Sequence, residues 1–217
     1  GEKDLLYQYI TLEVLKTVDH RLMLFLVKAA ILDEFTAAEA GKILGVKNVS
    51  QILFQCEKQG MFIQRIIGEV TTYRFHELFR KVLLQIQSEY LSKAEIESYH
   101  LQAAAYYIES KIFNRAIKHF IASGNIPLAV ELVTRESVNL VTLEAFKQLR
   151  LWYKLLPDDV VNNNAFLLFI KCYTYQKGEK EIVALAEKAL SIFQENNDID
   201  LQIKTLFLLN SFYQFRN

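Results

Sequence analysis

The sequence predicts a mainly α-helical protein interrupted once, early in the chain, by a small β-hairpin. Three observations carry that reading. Apolar residues recur at helical spacing along nearly all of the 217 residues. Only 7 Gly and 2 Pro punctuate them, so the connections must be short. A single pair of β-branched and aromatic runs, residues 61–67 and 70–75, meets at Gly68-Glu69, which is a hairpin signal. With 52% hydrophobic residues the chain suits a packed core rather than disorder.

The elements follow in order. Leu5, Leu6, Tyr9, Leu12, Leu15 and Val18 form a helical stripe that ends before Asp19, an N-cap for a second helix over residues 21–32. Thr36 is followed three residues on by Glu39, a capping box, and the short helix it starts stops at Gly45. Ser50 is expected to cap the next helix, which turns Ile52, Leu53 and Cys56 inward and closes at Gly60. Helices of this kind followed by a hairpin make a winged helix. At Tyr73 to Leu83 strand period gives way to helix period, and Leu78, Phe79, Val82, Leu83, Ile86 and Tyr90 line one face of a helix from His76 to about Leu91. Residues 1–92 are therefore assigned to a winged-helix domain with a leading helix.

Residues 93–217 read as helix pairs. Tyr107, Ala116 and Phe120 fall at tetratricopeptide offsets, with Ala103, Ala104 and Ala105 small enough for close helix contact. Ile182, Ala186 and Ala189 repeat the second-helix offsets after a turn at Gly178. Between them lie segments at 127–136 and 143–156 and a break at Pro157-Asp158-Asp159 that suits a helix start. The spacing is irregular, so the expectation is a degenerate, tetratricopeptide-like helical-repeat domain (an α-solenoid), whose concave surface would take a peptide, protein or small ligand. Gly1 reads as a cloning scar and residues 207–213 as a helical pattern with no stop signal, so a fragment of a longer protein is expected.

Charge and motifs narrow the function. Lys plus Arg and Asp plus Glu balance at 25 each, so no global field draws nucleic acid or an anionic membrane. The segment at 50–59, where a recognition helix would lie, offers a groove Lys58 and glutamines beside Glu57, and direct specific DNA binding by this fragment is not expected. No apolar run reaches membrane-spanning length, and a cytoplasmic protein without a membrane partner is the expectation. Cys56 and Cys172 lie far apart in helical patterns and are expected as buried, reduced thiols. Gly-rich phosphate loops, HExxH pairs and GxSxG elbows do not occur, so neither catalytic nor metal-ligating residues are assigned. His20, His100 and His119 stand singly in helical segments and suit packing or surface roles. His76 is the one candidate site residue. It sits at a helix N-terminus, where unpaired backbone N–H groups and the helix dipole favour an anion, although a buried or capping histidine would fit the same place.

The stretches Phe25-Leu26-Val27-Lys28-Ala29-Ala30-Ile31-Leu32-Asp33-Glu34-Phe35 and Tyr73-Arg74-Phe75-His76-Glu77-Leu78-Phe79-Arg80 resemble the winged-helix domain of the bacterial MalT-like regulators of the LuxR type, members of the STAND class of signal-transducing nucleotide-binding proteins. Residues 116–125 and 151–157 are similar to helix-turns of their repeat domain. Phe75-His76-Glu77 also looks like the Met-His-Asp triplet of related nucleotide switches, with Phe for Met and Glu for Asp. The resemblance implies that His76 senses a nucleotide phosphate in the full-length protein. It further implies a central fragment of an ATP-dependent transcriptional regulator, with Walker motifs N-terminal and a DNA-reading helix-turn-helix C-terminal to it. The fragment itself would hold no cofactor, whereas the full-length protein would hold ATP or ADP. Its partners would be its own nucleotide-binding and DNA-binding domains and an inducer, small molecule or protein, on the helical repeats. The alternative is a stand-alone helical-repeat scaffold whose winged helix binds DNA or protein.

Overall fold

The structure, a computed structural model, describes residues 13–137, 143–174 and 179–214. The apolar stripe before residue 13 and the turn at Gly178 lie outside the described residues. Two compact units divide at residues 111 and 112, so the helix that opens the predicted repeat region, residues 93–109, packs in the first unit.

The first unit is a winged helix. α1 (His20–Ala29) starts where expected, with the Asp19 carboxylate accepting from the Leu22 amide at 2.9 Å. It ends three residues sooner than the periodicity predicts, because the chain swings out to lay Phe35 beside the hairpin. α2 (Ala37–Leu44) has the Thr36–Glu39 capping box complete, and Gly45, at φ 65, ends it in a left-handed turn that costs other residues a Cβ clash. α3 (Val49–Lys58) corrects the sequence reading: Asn48, not Ser50, is the N-cap residue, in a left-handed conformation that asparagine tolerates, with no capping side-chain bond. Leu53 and Cys56 are buried as expected. β1 (Ile63–Ile66) and β2 (Thr72–Phe75) pair antiparallel with Ile63 opposite Phe75. The strands are shorter than expected, and the connection takes in residues 67–71 rather than Gly68-Glu69 alone.

α4 (Glu77–Tyr90) runs back from the hairpin and packs on α1, burying Phe79, Val82, Leu83 and Gln87. α5 (Lys93–Glu109) follows after a second complete capping box, Ser92 with Glu95. It packs on α2, with Ala103, Ala104 and Tyr107 buried and Ala105 on the exposed side. Lys28 and Lys42 lie over the Tyr99 and Tyr106 rings at 5.0 and 5.8 Å.

The second unit is a set of stacked helices. α6 (Phe113–Ala122) and α7 (Ile126–Ser137) form a hairpin closed by Gly124 at φ 75, whose amide donates to the Ile121 carbonyl at 3.0 Å while that of Asn125 donates to Phe120 at 2.9 Å. α8 (Leu143–Leu155) packs on both and sets Trp152 edge-on to Phe113, with ring centres 5.7 Å apart. α9 (Asp158–Asn162) is a short turn after Pro157. α10 (Ala165–Thr174), α11 (Glu179–Glu195) and α12 (Ile199–Gln214) then pack consecutively. Ile182, Ala186 and Ala189 are buried there, as their spacing predicts, and His119 is buried within α6. The fold is mainly α, a winged helix with a small hairpin followed by helical repeats.

Candidate functional site

Three segments distant in sequence meet where β2 becomes α4. Backbone bonds tie the first two: the Phe35 amide donates to Tyr73 at 3.0 Å and the Tyr73 amide donates to Phe35 at 2.8 Å, giving β2 a neighbour on its second edge. Thr72 donates its hydroxyl to Glu34 at 2.8 Å. Beneath this edge Phe35, Phe75 and Phe79 form a chain of tilted rings, 5.9 and 5.8 Å apart, and Phe62 meets Phe79 at 5.7 Å. The alternation of the strand puts Phe75 inside, so its neighbours Arg74 and His76 point away from the core and are exposed.

A cleft of about 570 Å³ opens there, lined by Asp33, Gln64, Arg74, Phe75, His76, Glu77 and Arg80. His76 occupies the N-cap position of α4, and its side chain makes no capping bond. Its own backbone is fixed at both ends, the amide donating to Phe62 at 2.8 Å and the carbonyl accepting from the Arg80 amide at 2.9 Å. The buried and the capping readings of His76 therefore both give way to an exposed imidazole at the mouth of a cleft. Arg80, one turn further along α4, donates from Nε to the Ala30 carbonyl at 2.7 Å and from its guanidinium to Asp33 at 2.8 Å. Gln87, buried two turns on, donates to the Val27 carbonyl at 2.8 Å. These bonds satisfy carbonyls at the C-terminal end of α1, where a cation is also favoured by the helix dipole.

The charges are unevenly engaged. Asp33 is held by Arg80, and Glu77 pairs with Lys81 at 2.7 Å; that hydrogen bond first, then the Lys81 charge and to a lesser degree the nearby His76, holds the Glu77 carboxyl below its usual range. Arg74 donates to the neutral Gln64 amide oxygen at 2.9 Å. The cleft thus offers an arginine whose bond to Gln64 consumes no opposing charge, an imidazole and an uncapped helix start, a set that hydrogen-bonds to anionic oxygens. His100 of α5 is half-buried; burial first and the Arg80 charge second lower its pKa, which favours the neutral ring.

The sequence singled out His76 but not its company. Arg80 stands one helical turn beyond His76, a spacing visible in the sequence, whereas its bonds to Ala30 and Asp33 cross some fifty residues and have no local signal. Arg74 could have been found from strand alternation alone.

Residues 11–94 match the MalT winged helix domain. The match covers α1 to α4 and both strands, and so includes every residue of the cleft. The MalT winged helix domain also carries the two stretches whose resemblance the sequence suggested, and they interlock through Phe35–Tyr73 and Asp33–Arg80. The serine/threonine-protein kinases PknK of Mycobacterium tuberculosis and of Mycobacterium bovis are each 26% identical over 167 residues, which is 77% of this chain and 15% of theirs. The chain thus spans about 15% of the length of the curated relatives it matches. Among the described residues no helix is long and apolar enough to cross a membrane.

Proposed function

We propose that this chain is the signal-transmitting part of a LuxR/MalT-like transcriptional regulator of the STAND class, coupling nucleotide state to inducer or partner binding on its helical repeats in the cytoplasm. The observation that carries the reading is the exposed His76 at the uncapped start of α4, beside Arg74 and inside the MalT winged helix domain. In the closed arrangement a phosphate oxygen of ADP, held by the regulator's nucleotide-binding domain, accepts a hydrogen bond from His76. An inducer on the tetratricopeptide-like helices favours the open arrangement. Each ligand acts only through its unequal affinity for the two arrangements. The chain transmits and does not catalyse.

The rival, a stand-alone scaffold, draws support from exposed apolar side chains on α3 and the hairpin loop: Phe54, Ile67 and Val70 are 56%, 80% and 65% exposed. Such surfaces suit a protein partner better than a phosphate backbone. A reporter assay with the whole regulator separates the two. His76→Ala should give transcription without inducer; inducer dependence equal to wild type, at equal protein level, would favour the scaffold.

A further inference from the structure

Of the two arginines that line the cleft, only Arg80 is matched by a carboxylate among the described residues. It faces Asp33 at 2.8 Å, and Glu77, the other carboxylate lining the cleft, faces Lys81 at 2.7 Å. Arg74 instead donates from Nη2 to Oε1 of Gln64, its partner directly across the hairpin, at 2.9 Å. An exposed arginine without an ion pair is common on a surface, but this one is held. A neutral amide fixes one arm of the planar fork and leaves the other donors and the whole charge for the cleft.

The strand directs that charge to the place His76 occupies. Residues 74 and 76 stand two apart on extended backbone, His76 at φ -56 and ψ 139, so both side chains leave on the same side, their origins about 7 Å apart. Phe75 between them turns into the core and is 2% exposed. Arginine is the longer side chain, and its fork can close the gap onto oxygens that the imidazole also reaches. A terminal phosphate suits this pair. It carries a charge of about -1.5 to -2 at neutral pH and three acceptor oxygens, enough for one imidazole bond and a bidentate guanidinium. An inner phosphate, esterified on both sides, has less charge and fewer free oxygens.

Resting on the reading that His76 faces a phosphate in the closed arrangement, we propose that Arg74 is a second phosphate-binding residue, its guanidinium on the terminal phosphate of a nucleoside diphosphate and Gln64 positioning it from β1. The closed arrangement then selects for the charged end of the nucleotide. Titration of the intact regulator with ADP and with AMP, whose single phosphate stops one position short, tests this. Arg74→Ala should weaken ADP binding roughly tenfold to a hundredfold and leave AMP binding unchanged. Arg74→Lys should fall between, because an ammonium keeps the charge but not the fork. Gln64→Ala should weaken ADP by a smaller factor in the wild type and by none in the Arg74→Ala background, the coupling expected of a residue that acts through another. The unfolding temperature of the 217-residue chain should not move in Arg74→Ala, since the side chain is exposed. ADP binding weakened by His76→Ala but not by Arg74→Ala would overturn this proposal and leave the His76 reading standing, whereas ADP binding unchanged in both variants would remove both. An equal loss for ADP and AMP, or a loss accompanied by a lower unfolding temperature, would also overturn it.

Discussion

Arg80 reaches from the first turn of α4 to the far end of α1, and its loss should be felt as stability. Arg80→Ala removes a charge-assisted bond to the Ala30 carbonyl and leaves Asp33 without that partner. The half-exposed Asp33 contributes little, but the carbonyl bond should cost about 1.5–3 kcal/mol, measured by urea unfolding. Arg80→Lys should recover only part, because a single ammonium cannot serve both acceptors in the planar fork. A second residue-level consequence concerns pH. Burial pushes the Cys56 thiol up to about 12 and that of Cys172 to about 11, from an ordinary 9.0. A folded-state pKa that is raised gives stability fully present below the unfolded value, so the contribution should hold to about pH 9 and then fall as pH climbs towards 11 and 12. The loss per thiol should approach about 1.4 kcal/mol per pH unit, and the slope of unfolding free energy between pH 9 and 10.5 should be shallower in Cys56→Ala than in wild type. The burial of both cysteines was legible from their helical surroundings. The partners of Arg80 were not, since nothing local in the sequence encodes a contact made across fifty residues.

At the scale of elements, caps decided most boundaries. The Thr36–Glu39 box, Asp19 and Gly45 were read correctly because each signal is contained within four residues. Ser50 was misread because a left-handed Asn48, two residues earlier, starts α3 without any side-chain bond. The Ser92–Glu95 box carries the same pattern as the first and was available to the sequence reading, which opened the repeat region at residue 93 without assigning a cap. Its structural completeness makes a prediction: Ser92→Ala should destabilise the first unit by about 1 kcal/mol in thermal or urea unfolding, and Ser92→Gly by only a few tenths. The hairpin was legible in kind but not in length. Pairing stops at Ile66 and Thr72, and the Phe35 bridge that flanks β2 depends on chain 38 residues upstream of Tyr73.

At the scale of the whole molecule, a balanced charge and a glutamine-rich α3 argue against readout of DNA by this chain. A binding titration with duplex DNA should show nothing beyond weak, salt-sensitive and sequence-independent association, and a sequence-selective complex would contradict it. The fold class, a winged helix followed by helical repeats, was legible because hydrophobic period and turn chemistry agree along most of the chain, whereas the compact units part at residues 111 and 112 and not at 92 and 93. The cleft was not, because it exists only once the hairpin, α1 and α4 are folded together. The central claim is that the imidazole of His76 faces a nucleotide phosphate in the closed arrangement of the regulator. The direct measurement is the rate of ADP release from the intact regulator carrying His76→Ala, read beside the unfolding free energy of this chain with the same substitution. A charge-assisted bond made only in the closed state is worth about 1.5–3 kcal/mol, so release should quicken roughly tenfold to a hundredfold while the unfolding free energy stays within about 0.5 kcal/mol of wild type. Unchanged ADP release together with a clear loss of stability would contradict the account.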